Sequence, residues 1–212
     1  MTRRTLFIAY YLAIFLQAGT YGLTFLLPPL FATFGGTETD VGFVLGITAI
    51  STIITILWLG HLTTRLGQMK TIAISSTLIT VALFIFGMAD SLDGVIYFAG
   101  GLLGVGWGLY YVLTPVVLTQ LIVADERVRA FTLLSLFVMA GFGLSPVLGG
   151  SLVKLGYGIE FAFILLGLLC LISGGIFWIL KSAVATHSIT SAKQENSELS
   201  ILIALQVLRT KH

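Results

Sequence analysis

Residues 41–60 read VGFVLGITAISTIITILWLG, twenty positions without a single Asp, Glu, Lys or Arg, and residues 61–70 follow as HLTTRLGQMK. A helix rises about 1.5 Å per residue, so about 20 apolar residues cross the ~30 Å hydrocarbon core of a bilayer. The stretch is therefore long enough to span a membrane, and the basic segment after it is where the chain turns at the surface. A membrane barrel strand alternates apolar and polar side chains over about ten residues, and no such alternation is present. The run reads as a helix in lipid.

Five further stretches share that character, so the spans lie at roughly 5–31, 41–60, 70–89, 93–122, 128–153 and 158–180. The connections are 32–40 (with Gly35-Gly36), 61–69, 90–92, 123–127 and 154–157, and they hold most of the charge. The expected protein is all-α and integral to a membrane. A six-helix unit covers residues 1–180, and a cytoplasmic linker or tail covers 181–212. Within that tail, Ser197 through Leu208 has the pattern of a short amphipathic helix that starts after a Ser cap.

Composition excludes an ordinary soluble domain: 57% of residues are hydrophobic, 9% are charged, and mean hydropathy is +1.05, whereas soluble domains carry about 25% charged residues. The net charge of +2 gives no reason to expect nucleic acid. Cys170 stands alone, so neither a disulfide framework nor a CxxC metal site can form. Thr2-Arg3-Arg4 loosely resembles a twin-arginine export signal, but the apolar stretch from Leu6 to Phe31 is too long for a signal core. It reads as an uncleaved first helix.

Charge sets the expected orientation. With the N-terminus inside, Arg3, Arg4, Arg65, Lys70, Arg127, Arg129, Lys181, Lys193, Arg209 and Lys211 face the cytoplasm, and only Lys154 lies outside. The positive-inside rule then places both termini in the cytoplasm; the expected location is a bacterial inner (plasma) membrane. There is also an internal echo. Gly60-His-Leu-Thr-Thr-Arg65-Leu-Gly67 follows the second helix, and Gly149-Gly-Ser-Leu-Val-Lys154-Leu-Gly156 follows the fifth. Two three-helix repeats of inverted orientation place such segments on opposite sides of the membrane.

Gly60, Leu62, Arg65, Gly67 and Lys70 resemble the signature between helices two and three of the major facilitator superfamily, G-x-L-x-D-R-x-G-R/K. Thr64 stands where that family has aspartate, and Gln68 replaces one basic residue. A tight turn favours glycine, and basic groups at this surface pair with acids or with the negative ends of helices. The resemblance implies a gating loop that latches two halves of a carrier, though without its acid. A plain positive-inside loop is the other reading.

In helix five, Gly141, Pro146, Gly149 and Gly150 resemble the family's G-x-x-x-G-P-x-x-G-G, found mainly in exporters and antiporters, with Ser145 in place of one glycine. Proline bends a helix and small residues admit a close neighbour. The resemblance implies a bend packed against the other half of the carrier; a kinked packing helix is the alternative. In helix four, Gly100, Gly104 and Gly108 form a small-residue stripe. The family's arginine position, four residues before its glycine, falls here on Gly100.

Gln17, Tyr21 and Thr24 on helix one share a face with Tyr10, and Trp107, Tyr110 and Thr114 share a face of helix four. Polar groups in lipid bond within the bundle or line a cavity. These six are therefore the candidate substrate-cavity residues, with interhelical bonding as the competing account. Tyr10 and Tyr11, near the inner boundary, read as interface-belt residues. No Asp, Glu, Lys or Arg lies deep in a helix. His61, His187 and His212 lack partners for metal binding or catalysis, and no catalytic constellation, metal site or cofactor motif is present, so no enzyme is expected.

The resemblance covers residues 1–180 and implies one six-helix half of a small-solute carrier that works by alternating access and leans toward efflux or antiport. Its expected partners are the bilayer, a small-molecule solute and a second six-helix half, either its own C-terminal half or a dimer partner. The alternative is a non-transporting fragment or a regulatory membrane partner of a full-length carrier.

Overall fold

A computed structural model describes residues 2–209, with side chains for 2–186. Among the described residues all regular structure is helical, and six helices are long and apolar enough to cross a membrane. The first span, Arg3–Thr33, comprises α1 (Arg3–Gly22), a 3-10 turn (Leu23–Leu26) and α2 (Leu27–Thr33). The others are α3 (Glu38–Leu66), α4 (Gln68–Met88), α5 (Gly94–Leu121), α6 (Arg127–Lys154) and α7 (Ile159–Arg209), with a 3-10 turn at Ala124–Glu126. Among the residues with described side chains, Ile159–Thr186 of α7 forms the sixth membrane-length span. The expected linker at 181–212 and amphipathic segment at 197–208 fall almost wholly on side chains outside the described set.

Two boundaries differ from the sequence reading. The first span is not one helix over 5–31. Pro28 and Pro29 have no N–H to offer the carbonyls four residues back, and the chain tightens into a 3-10 turn just before them. The Thr24 hydroxyl in that turn donates to the Tyr21 carbonyl at 2.8 Å. The segment 61–69 is also not an open loop. α3 stays helical through Leu66, and Gly67 alone separates it from α4. Gly67 has φ +80°, a conformation that side chains resist, so the turn can be this short only with glycine.

Helix starts follow local chemistry. Thr2 accepts from the Thr5 N–H at 3.3 Å, Thr37 and Asp40 form a capping box on α3, and Asp93 accepts from the Val95 N–H at 3.0 Å at the start of α5. Each satisfies donors that a helix start leaves orphaned.

In the bundle, α4 packs against both α5 and α7, α3 lies on α5, and α1 lies on α6 and α7. Buried side chains form two clusters. One gathers Leu6, Tyr10, Ile14, Leu113 and Phe177, and the other gathers Leu23, Phe31, Phe86, Ile96 and Phe163. Cys170 is buried in the second, its Sγ 3.4 Å from the Ser76 carbonyl. Coverage is uneven. In the most apolar windows of the first span, α4 and α5, 61% of residues are buried, against 22% for α3 and 17% for α6. Ile53, Leu57 and Trp58 on α3, with Leu136, Met139 and Val147 on α6, are left open.

Candidate functional site

The stripe Gly100, Gly104, Gly108 on α5 brings α3 so close that backbone meets backbone. A Cβ on Gly108 would stand 3.1 Å from the Thr52 carbonyl oxygen, and one on Gly104 would overlap the Thr48 carbonyl. The approach lets Thr48 donate to the Gly100 carbonyl at 2.9 Å and Thr52 to the Gly104 carbonyl at 2.9 Å. Gly100, where the family has arginine, is closed off by Val44: a Cβ there would lie 2.9 Å from Val44 Cγ1. The position serves packing and has no room for a long side chain.

On the other side of the unit, Gly141, Ser145 and Gly149 of α6 are buried. A Cβ on Gly141 would lie 2.6 Å from the Phe15 carbonyl oxygen of α1. Ser145, where the family has glycine, is accommodated by Gly22 opposite, where a Cβ would overlap the Ser145 hydroxyl. Pro146 withholds an N–H from the Phe142 carbonyl, and the Ser145 hydroxyl approaches that carbonyl at 3.4 Å. The helix-five residues therefore divide. Gly141 packs against α1 and Gly149 against Leu26 of the 3-10 turn and Ala162 of α7, while Gly150 has nothing within 4 Å of its Cβ position and Pro146 is half-buried.

Tyr10 and Tyr11 do not sit in an interface belt. Tyr10 is fully buried and donates to the Thr114 carbonyl at 2.7 Å, while Tyr110 donates to the Ile14 carbonyl at 3.0 Å. Each phenol thus caps a carbonyl on the opposite helix, and the two bonds mirror one another across the α1/α5 crossing. Tyr11 donates to the Ala130 carbonyl at 3.0 Å. A buried phenol needs such an acceptor. Position near a boundary suggested a belt, and these internal acceptors overrule it.

The six cavity candidates separate. Gln17 is fully buried, facing α4 and α7: its Nε2 donates to Ser75 Oγ at 2.8 Å, and its Oε1 accepts from Ser76 Oγ at 2.8 Å. Ser173 Oγ lies 3.4 Å from the same Oε1 and donates to the Ala13 carbonyl at 2.8 Å. This satisfied network joins three helices and presents nothing to a solute. Thr114 is also buried, its hydroxyl on the Tyr110 carbonyl at 2.6 Å, and Tyr110 is used in the α1/α5 crossing. Thr24 is half-buried in the 3-10 turn.

Tyr21 and Trp107 are brought together. Their rings stack with centroids 4.2 Å apart at 21°. Phe142 from α6 joins at 5.7 Å from Tyr21 and 5.4 Å from Trp107, and Tyr111 lies 5.9 Å from Trp107. Tyr111 is 59% exposed and Tyr21 is half-buried. Neither phenol hydroxyl, nor the Trp107 indole N–H, makes a hydrogen bond among the described residues. The result is an aromatic platform where α1, α5 and α6 meet, with unused donors at its edge. The sequence reading had missed Phe142 and Tyr111. Phe142 lies inside the helix-five residues already singled out, between Gly141 and Gly143, but periodicity on one helix cannot reveal a ring contributed by another.

At the turn between α3 and α4, Gly60 and Leu62 are helical, Arg65 is exposed and Lys70 half-exposed, and neither cation meets a carboxylate among the described residues. Thr64 donates to the His61 carbonyl at 2.8 Å, and its neutral hydroxyl supplies no counter-charge to Arg65. Among the described residues no three His, Cys, Asp or Glu side chains gather as a metal site.

A comparison with curated proteins returns no match. Against protein families, residues 9–212 match the Major Facilitator Superfamily. With six membrane-length helices and that match over nearly its whole length, the chain is an integral membrane protein and belongs to the major facilitator superfamily, a family of membrane transporters.

Proposed function

We propose that the chain is a six-helix unit of a carrier that moves a neutral, aromatic or lipophilic small solute by alternating access, in the direction of efflux or by antiport. The observation that carries this reading is the platform of Tyr21, Trp107, Phe142 and Tyr111. It offers stacked rings, free N–H and O–H donors and no charged side chain. Ring-on-ring contacts contribute about 0.5–1.5 kcal/mol each beyond area burial, enough for the weak binding that a carrier needs. The helix-five residues Gly141, Pro146, Gly149 and Gly150 supply the lean toward export, through the resemblance they carry.

Three features support two inverted three-helix repeats. The Tyr10–Thr114 and Tyr110–Ile14 bonds exchange if α1 and α5 exchange. The packing of α3 on α5 and of α6 on α1 exchanges likewise. The echoed glycines Gly67 and Gly156 both take positive φ, +80° and +91°, where α3 and α6 end. The open apolar faces of α3 and α6 are where a second six-helix unit, from the same chain or a partner, would complete the carrier. Ten of eleven Lys and Arg then lie on the cytoplasmic side of a bacterial inner membrane.

The test is flux in proteoliposomes with the complete transporter, using a panel of neutral aromatic solutes. Binding is followed by Trp107 emission in a Trp58→Phe/Trp178→Phe background. Trp107→Ala should abolish flux while the protein stays folded, and Tyr21→Ala, which keeps the fluorophore, should abolish the solute-dependent change in Trp107 emission. Unchanged flux in Trp107→Ala sinks the platform as the solute site. The rival reading, a non-transporting membrane partner, draws on the unpaired Arg65 and Lys70, since the family's latch needs an acid. It is favoured if no assembly transports while the chain co-purifies with a carrier.

A further inference from the structure

At the end of the bundle where α1 and α6 begin, a groove of about 780 Å³ runs between the two helices. Its rim holds Arg3, Arg4 and Arg129 and a single carboxylate, Glu126. Arg3 is already engaged: it forms an ion pair with Glu126 and lies over the Phe7 ring with its Cζ 5.5 Å from the centroid. Arg4 and Arg129 are exposed, and neither has a carboxylate within ion-pairing distance among the described residues. Below the rim the wall turns apolar, with Phe7, Leu12 and Phe137, and Leu12 is 46% exposed.

The amino ends of α1 and α6 both open here, and each adds the partial positive charge of a helix start. The groove thus has a cationic mouth, with two of its three guanidinium groups free of a carboxylate among the described residues, and an apolar trough below it. An occupant must carry negative charge at one end and hydrocarbon at the other. We infer that the groove binds an anionic phospholipid of the cytoplasmic leaflet. The phosphate sits between Arg4 and Arg129, and an acyl chain lies along Phe7, Leu12 and Phe137. The leaflet assignment rests on the orientation proposed above; the headgroup chemistry does not. The site is apart from the aromatic platform, so lipid binding can be lost while solute binding persists.

Purified full-length protein is loaded with defined lipid and retained lipid is counted by native mass spectrometry, comparing phosphatidylglycerol with phosphatidylcholine. Each basic residue near an anionic headgroup strengthens retention roughly fivefold, so Arg4→Gln/Arg129→Gln should weaken phosphatidylglycerol retention about 25-fold. Arg65→Gln/Lys70→Gln, at the α3/α4 turn, should leave it unchanged. Arg4→Lys/Arg129→Lys should retain most of it, and Glu126→Gln, which releases Arg3, should raise it. Thermal unfolding checks that each variant is folded. Equal retention of the two lipids overturns the inference, as does insensitivity to Arg4→Gln/Arg129→Gln. Full displacement by glycerol phosphate, which has no acyl chain, would identify a phosphate site in place of a lipid site and overturn it too.

Discussion

Replacing Gly104 by alanine adds one methyl group where α5 meets α3, and the surrounding atoms define what must happen. The new Cβ would overlap the Thr48 carbonyl oxygen and lie 2.9 Å from both the Thr48 carbonyl carbon and Ser51 Cβ. Carbon atoms at rest stand about 3.5–4.0 Å apart, so α3 must retreat by roughly 1 Å along this stripe. That retreat stretches the Thr48–Gly100 and Thr52–Gly104 bonds, both 2.9 Å, past useful length. Bonds of this kind are worth about 0.6 kcal/mol each inside membranes, and overpacking costs about 1–3 kcal/mol.

Alanine also gains about 1 kcal/mol over glycine in a helix, which would mask part of the loss. Gly143→Ala supplies the control. It lies inside α6 with nothing within 4 Å of its Cβ position, so it takes the helix-propensity gain without the clash. Unfolding in detergent by graded SDS, followed by far-UV circular dichroism, should place Gly104→Ala about 2–4 kcal/mol below Gly143→Ala. If the two variants agree within about 0.5 kcal/mol, α3 yields without cost and the reasoning is refuted. Thr52→Val in the Gly104→Ala background should then cost less than in the native chain, because the bond it removes is already lost.

Gly67→Ala should destabilise by about 1 kcal/mol or more, since Gly67 holds φ +80°. Gly60→Ala, in the same motif but within α3 and with open space around it, should be neutral or gain about 1 kcal/mol in the same SDS titration. Gln17→Leu should cost no more than about 2 kcal/mol, because Ser75, Ser76 and Ser173 keep their own bonds to the Ile72 and Ala13 carbonyls. It should also leave solute-dependent Trp107 emission intact, whereas a lost response would return Gln17 to the solute site. Arg3→Gln should lower Tm by only a few degrees, because the Arg3–Glu126 pair is half exposed at 49% and 45%. A large shift would show that the pair clamps α1 to the start of α6.

Much of the architecture was legible in the residues alone. The apolar runs are longer than a soluble core requires and lack strand alternation, so six helices follow from length and composition. Gly67 announced its turn because few residues other than glycine tolerate that backbone. The limits of the first span were harder to read. Pro28 and Pro29 were visible, yet proline is common in membrane helices, and only the conformation of residues 23–26 shows that the helix tightens there.

The site was half legible. Helical spacing suggests which side chains share a face, and it grouped Gln17, Tyr21 and Thr24, although Thr24 lies in the 3-10 turn beyond α1. It says nothing about what covers the face. Tyr21 meets the rings of α5 and α6, while Gln17, one turn away, meets the serines of α4 and α7.

Membrane insertion and helix count were thus determined by the sequence itself, because lipid acts on every residue of a span through its own transfer energy, independent of its neighbours. The reciprocal Tyr10 and Tyr110 bonds, the enclosure of Gln17 and the recruitment of Phe142 and Tyr111 to Trp107 were decided only by tertiary structure. Each depends on two or more helices meeting at one depth, and such meetings, like the close approach of α6 to α1 at Gly141 and Gly22, are a property of surfaces in contact that no single segment carries.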